Sequence, residues 1–600
     1  MRHYELYFNG NRMDMGKGFN FVLLYQSPIF TDISKIVSNR TSTIRLPKTI
    51  NNLRVIENCQ IPNSDAQAPY KTHNCEIWCN GVPIVQRGVA MIFGITNQIE
   101  ISIVWGNRSN TEAIFEKRLR ELASEDRDYI RWDNNLQYLS NQLTSVGFLH
   151  MDFGQGAGNK QYTHPVVSFK YLLDKISTDS GLQIEYSLKW RDLFNLTYVP
   201  LLEKNTDERA TSQNTPRFYI DRNVNIVELS DPINAIQGNS FVAWEDGEAY
   251  FTGQQTFQTT EVLGSSHTAN IRIYNNNIST TAPVRIISGL VQSISIGDER
   301  YELQIQFDFT DSDSIFNVQK GGLIVWYIEI DGSPFGSSKL QAASGEIWFH
   351  INSNNVPFGG IFPIVPNLPD ITCMDALRSI MTMYGLFAYY DINNPDVMRL
   401  FSIDDIYSRI PGAVDWTHKL VTGNSFDEIT FTFQDYAREN YLRYLNDSTV
   451  QVNADGAIQV RNDNLIREKD IAELKYAPSD NRNGFAYIPL YTSESDGIKF
   501  NKLSNRVLYP EFYNNHFRGV FSNLLHFAGD NGLIKNYYSK FQDVIYQPKV
   551  IKGRFLLNEI DLLGISLLTP IYLEQTGKYY AIIKIQSEIN GIASCELIQL

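Results

Sequence analysis

Three side chains with metal-binding chemistry share one face of the stretch HNCEIWC: His73, Cys75 and Cys79. Zinc takes imidazole and thiolate ligands, four of them in structural sites. The stretch reads as a strand, which sets the two thiols about 13 Å apart, beyond the reach of a disulfide. No second ligand pair lies nearby, so the expectation is small buried thiols rather than a metal site. Cys59, Cys373 and Cys595 complete a set of five in 600 residues, which is no disulfide framework. A second candidate is Asp308, Asp311 and Asp313 in DFTDSDS. Carboxylates are calcium ligands, but the spacing and closing Glu of an EF-hand are missing, and the stretch reads as a solvated turn. The loop GQGAG, Gly154–Gly158, does not open a helix directly after a strand, so it reads as a flexible loop and not as a dinucleotide fingerprint. Trp326 in GLIVWYIEI and Trp348 in GEIWFHI are the candidates for stacking on sugar faces, with a place in a β core as the alternative. There is no P-loop, HExxH, CxxC or GxSxG, and the nine histidines form no catalytic constellation. With 66 acidic residues, a glycosidase pair cannot be picked from sequence, because the separation of its carboxylates exists only in the fold. No catalytic residue, cofactor or metal is assigned, and the chain is read as non-enzymatic.

The elements around these residues carry the stronger signal. SFKYLLDKISTDSGLQIEY, from Ser168 to Tyr186, aligns without a gap on TCMDALRSIMTMYGLFAYY, from Thr372 to Tyr390, at an offset of 204 residues. Leu173 meets Leu377, Ile176 meets Ile380, Gly181 meets Gly385 and Tyr186 meets Tyr390. Ser168 and Thr372 are N-cap types, an apolar stripe follows at helical spacing, and Gly181 and Gly385 stand where a left-handed residue ends a helix. Each copy therefore predicts a capped helix, a structural glycine and a short aromatic strand.

Six hundred residues exceed one core, and 43% hydrophobic with 20% charged residues is ordinary for globular chains. A net charge of −14 with no basic run excludes a non-specific nucleic-acid binder. No stretch approaches the ~20 apolar residues of a membrane span, and MRHYELYFNG has no signal-peptide core; the expectation is a soluble protein made in a cytoplasm. The fold class expected is mainly β with α+β modules, two related units flanking an inserted jelly-roll-like β-sandwich. Residues 1–110 form an N-terminal β domain with a meander from Cys75 that turns at Asn80-Gly81. Residues 111–202 hold the first copy, after a helix beginning at Thr111 with Ile114, Phe115, Leu119 and Leu122 on one stripe. Residues 203–365 hold the sandwich, its strands within 217–356, entered through the polar linker EKNTDERATSQNTP and left through the connector NNVPFGGIFPIVPNLPD. Residues 366–550 hold the second copy, the polar loop PSDNRNG and a helix in LIKNYYSKFQDVIY. Residues 551–600 form a C-terminal β segment, a second meander turning at Thr576-Gly577. Ile571, Leu573, Ala581, Ile583 and Ile585 alternate there, and covering that face and its edge is expected to require neighbouring copies.

The ending, LNEIDLLGISLLTPIYLEQTGKYYAIIKIQ followed by CELIQL, resembles the C-termini of large tail proteins of phages and prophages of Bacteroidetes. The start resembles them too, in NRTSTIRLPKTINN, NGVPIVQRGVAMI and a WGN before a helix. The resemblance covers both ends and the two helix–glycine units. It implies a tail or baseplate hub, a virion protein assembled in the host cytoplasm that closes the distal end of the tail tube. It further implies a homotrimer, with a hexamer as the alternative, contacting the tail tube and other tail-tip proteins. Two related domains in each of three chains would present six similar surfaces to a six-fold tube. In that family the related domains are β-barrels, whereas the repeat demonstrated here is a helix, a glycine and a strand. The alternative function is attachment to a host-surface glycan through the sandwich.

Overall fold

The computed structural model describes the chain apart from residues 1–2, 17–18, 28–38, 106–115, 222–224, 229–237, 260–261, 276–281, 311–314, 335–339, 353–354, 391–393, 395, 422–424, 496 and 589. It is mainly β and multidomain, with four buried apolar clusters.

The two chain ends, read above as separate domains, build one sheet. The meander His73–Cys79, Val82–Ile95 and Gln98–Trp105 turns at Asn80 and Gly81, both at positive φ as a tight hairpin needs. The second meander, Ile571–Leu573, Lys578–Glu588 and Ile592–Gln599, has the same plan: short strand, tight turn with Gly577 at φ 61°, long bulged strand, final strand. Strands Asn39–Thr41 and Val22–Gln26 join them edge to edge. Ile99, Ile101 and Ile103 of the first meander share one buried cluster with Tyr580, Ile582 and Ile585 of the second, so the sheet curves around a common core. The expectation that the C-terminal run needs neighbouring copies is therefore corrected. Lys578–Glu588 is an interior strand, flanked by Val22–Gln26 and Ile592–Gln599. Both its faces are buried within the chain: Tyr580 and Ile582 against this core, Ala581 and Ile583 against the next.

That next core contains both copies of the repeat. The helices are Phe169–Ser180 and Cys373–Tyr384, at the same 204-residue offset. The Ser168 hydroxyl accepts from Tyr171 N–H at 3.2 Å, and Thr372 accepts from the equivalent Asp375 N–H at 3.0 Å. Gly181 and Gly385 end the helices at φ 64° and 60°. The strands that follow, Gln183–Glu185 and Leu386–Tyr390, flank the single strand Val397–Ser402, one parallel and one antiparallel to it. The copies are thus not two separate modules but two walls of one core. They have diverged in depth: nine of twelve residues are buried in the second helix and six in the first, where Lys175 and Tyr171 bind buried Asp128.

The sandwich is a single rolled antiparallel sheet whose buried cluster, among the described residues, draws only on residues 218–349. Its strands alternate as expected; Leu303, Ile305 and Phe307 face inward. Trp326 on Leu323–Ile330 meets Phe251 at 5.0 Å, though several strands separate them along the sheet, so the sheet rolls over and packs its two halves against each other.

Several loops expected from polarity are ordered elements. The entry linker contains the helix Glu208–Asn214, with Asp207 accepting from Ala210 N–H at 2.7 Å. Buried Asn214 exchanges two hydrogen bonds with the Ile361 backbone, and Asn205 exchanges two with Asn367, so entry and exit connectors run side by side. PSDNRNG supplies the hairpin Asp480–Arg482 and Phe485–Tyr487, with Asn483 and Gly484 at positive φ. LIKNYYSKFQDVIY breaks at Tyr538 into Leu533–Tyr537 and Ser539–Tyr546. Thr111, Ile114 and Phe115 lie outside the described residues, while Leu119 and Leu122 are buried in and just after a single 3₁₀ turn. No described helix is long and apolar enough to cross a membrane.

Candidate functional site

An open groove lies at the seam where the sandwich meets its connectors. One wall is the outer face of the rolled sheet. Arg217, Trp348 and Thr252 are direct cross-strand partners there, and His350 and Tyr250 form the next row. His350 and Tyr250 stack at 4.6 Å with planes 11° apart, and the His350 Nε2 lies 2.9 Å from the Thr252 hydroxyl. Burial lowers the His350 pKa, so the ring is neutral at physiological pH. The Arg217 guanidinium sits 5.6 Å from the Trp348 ring and 3.8 Å from Glu346. The opposite wall is the linker helix with its flanks: Thr206, Asp207, Glu208, Thr211, Ser212 and Thr215 line the groove. The groove encloses about 670 Å³ beside Trp348 and continues past His350 toward Trp244 and Asn355. A smaller cavity of about 290 Å³ on the same seam holds Lys204. That amine is buried against the Phe500 ring, 3.7 Å from Glu245, and burial lowers its pKa despite the carboxylate.

The two tryptophans part company. Trp326 is fully buried among Phe218, Phe251 and Phe309, so its sugar-stacking role is corrected: neither ring face is accessible. Trp348 is half-buried on the outer face and lines the groove. Gly181 and Gly385 end the two repeat helices and line neither the groove nor the Lys204 cavity.

The remaining candidates resolve into structure. His73, Cys75 and Cys79 do share the buried face of one strand. Both His73 ring nitrogens have protein partners, Asn9 at 2.9 Å and the Ala68 carbonyl at 2.7 Å, and burial pushes the Cys75 thiol up to about 12. Asp308 accepts from the Thr310 backbone and hydroxyl and from Gln254; Asp311 and Asp313 lie outside the described residues. Among the described residues no three His, Cys, Asp or Glu side chains are grouped to hold a metal. The GQGAG loop is a docked turn and not a free one. Asp152 accepts from Gly154 and Gly156 N–H, and a Cβ on Gly154 would stand 2.1 Å from the Tyr491 carbonyl oxygen. Sequence reasoning missed His164. This ring is wholly buried, bridging the Leu201 carbonyl and the Tyr491 hydroxyl at 2.7 Å each, and burial drives its pKa to about 3.

No family model and no curated protein matches the chain. Among solved structures it is weakly similar to the 43 kDa tail protein of prophage MuSo2 from Shewanella oneidensis. The TM-score is 0.32 at 7% identity, over 100% of this chain and 98% of that one.

Proposed function

We propose that the chain is a structural protein of a phage tail, acting as a hub at the tail tip that adapts six-fold to three-fold symmetry as a homotrimer. The observation that carries this reading is the pair of meanders, His73–Trp105 and Ile571–Gln599, built to one plan within one sheet. A hub of this kind needs two related β units in each chain, so that three chains offer six equivalent surfaces to a six-fold ring. The helix–glycine repeat serves a different purpose, because its copies face each other and build the core that holds the β units in place. The stretches that resemble phage tail proteins in sequence lie at opposite chain ends, and their meeting in one sheet supports a common body. An edge strand, Glu428–Thr430, closes one end of that sheet with Ile429 and the following Phe431 exposed, a surface suited to self-assembly.

Light scattering on the purified chain tests the assembly: three copies per particle are expected. Immunogold labelling of intact virions tests the location, with label at one end of the tail. A chain that stays monomeric at high concentration and is absent from virions overturns the proposal. Six copies keep the tail assignment and overturn the symmetry argument.

A further inference from the structure

The groove at the seam has no part in a structural hub, yet its two walls are chemically complementary in a specific way. One wall is flat and aromatic; the other is a row of hydroxyls with two carboxylates, Asp207 and Glu208. We propose that this groove binds a neutral saccharide, with a sugar ring lying on Trp348 and its hydroxyls bonded to the threonine-lined wall.

The chemistry follows from the ligand's shape. A pyranose presents an apolar C–H face and a rim of hydroxyls that both donate and accept. An indole with accessible ring surface matches the face. Trp348 is held in place for that role, since Arg217 and Thr252 are its cross-strand partners on the same sheet face and Arg217 is itself tethered near Glu346. The Tyr250–His350 stack extends the flat surface by one strand position. Across the groove, Thr206 and Thr211 lie 3.1 Å apart as a hydroxyl pair; one of their two protons is used between them, and both oxygens keep acceptor lone pairs. Asp207 already accepts from Ala210 N–H and the Tyr129 hydroxyl, which fixes its orientation and leaves lone pairs for a donor. A neutral His350 and the Asp207 and Glu208 carboxylates on the facing wall disfavour an anionic sugar. The groove's volume of about 670 Å³ lies within the range of small-molecule sites, enough for more than one sugar ring. Both walls belong to ordered elements: the linker helix is fixed to the exit connector through Asn214 and Ile361 and leads directly into Arg217, the cross-strand partner of Trp348, so the site needs no folding step on binding.

The test uses the full-length chain on a printed array of bacterial surface polysaccharides and neutral hexasaccharides, followed by titration of the best binder. The expected result is binding of at least one neutral glycan. Trp348→Ala should weaken it at least tenfold, Trp348→Phe should largely restore it, and Thr211→Val on the other wall should weaken it severalfold. Thr211 is exposed on its helix, so that variant folds even if Trp348→Ala does not, and circular dichroism checks both. Absence of binding across the array overturns the proposal, as does binding that only anionic glycans show. Binding that survives both Trp348→Ala and Thr211→Val also overturns it, by placing the glycan elsewhere.

Discussion

The duplicated helix stop invites a paired experiment, Gly181→Ala and Gly385→Ala. Both glycines hold the left-handed conformation, at φ 64° and 60°, where a Cβ costs about 1 kcal/mol. Gly181 is exposed, so that conformational cost is the expected effect there. Gly385 is buried, and a Cβ on it would lie 2.8 Å from the Tyr537 carbonyl oxygen and 3.4 Å from the Tyr538 ring. Tyr538 cannot readily retreat, because its hydroxyl donates to the Thr382 carbonyl and its ring is fully buried. Overpacking of this kind adds roughly 1–3 kcal/mol, so Gly385→Ala should cost about 2–4 kcal/mol against ~1 for Gly181→Ala. A chain with several cores does not melt in one step, so the readout must be local. Hydrogen exchange by mass spectrometry over a urea series, on peptides covering 169–180 and 373–384, gives the opening free energy of each helix. Equal losses in the two variants, or a larger loss at Gly181, would refute the claim that the second copy sits deeper and tighter in the shared core.

Three further outcomes follow from the same geometry. His164 titrates near 6.5 when unfolded but only at about 3 when folded, so the unfolded state alone binds its proton between those values. Stability is therefore full above pH 6.5 and falls as pH drops, by about 2 kcal/mol from pH 7 to 5; His164→Gln should remove that much of the pH dependence in urea titrations. Asn214→Ala strips both hydrogen bonds from the Ile361 backbone, at a cost of roughly 1–3 kcal/mol, and should expose residues 203–216 to limited proteolysis while Gln213→Ala does not. The fragment 217–356, whose apolar cluster draws on none of the described residues outside it, should be soluble and melt cooperatively with a β circular dichroism spectrum; an unfolded product would show that the seam is needed for its core.

What could be read from sequence was what local chemistry determines. A capping hydroxyl, an apolar stripe and a glycine specify a helix end wherever they occur, and the caps at Ser168 and Thr372 reproduce down to the accepting atom. The Asn80-Gly81 turn was legible for the same reason, and Asn483-Gly484 carries an equal signal that its polar surroundings hid. The linker helix was not legible, because Thr, Ser and Asn are weak helix formers and Glu208–Asn214 is held by its Asp207 cap and by Asn214. The two tryptophans could have been separated by parity alone. Trp326 shares a strand face with Ile324, Ile328 and Ile330, which is a core face. Trp348 shares one with Glu346 and His350, while Ile347 and Phe349 point inward.

Long-range pairing was the part that sequence could not supply, and it changes where assembly contacts must be sought. An apolar strand with two buried faces looks the same in sequence whether its neighbours come from its own chain or from another. In Lys578–Glu588 the neighbour is Val22–Gln26, more than five hundred residues away along the chain, whose backbone pairs with residues 584–588. With that edge occupied and both faces covered, the middle of the strand is closed to a second copy, and exposure is confined to its ends at Lys578, Tyr579 and Glu588. An assembly interface must use unpaired edges and exposed apolar residues instead. The strand Glu428–Thr430 meets both conditions: among the described residues it pairs on one side, with residues 550–552 of Val550–Leu556, and Ile429 and Phe431 stand exposed. Charged substitutions at Ile429 and Phe431 would oppose edge pairing without entering any buried cluster. Such a variant should therefore separate assembly from folding, which truncation of the C-terminal strands cannot do, because those strands close two cores at once.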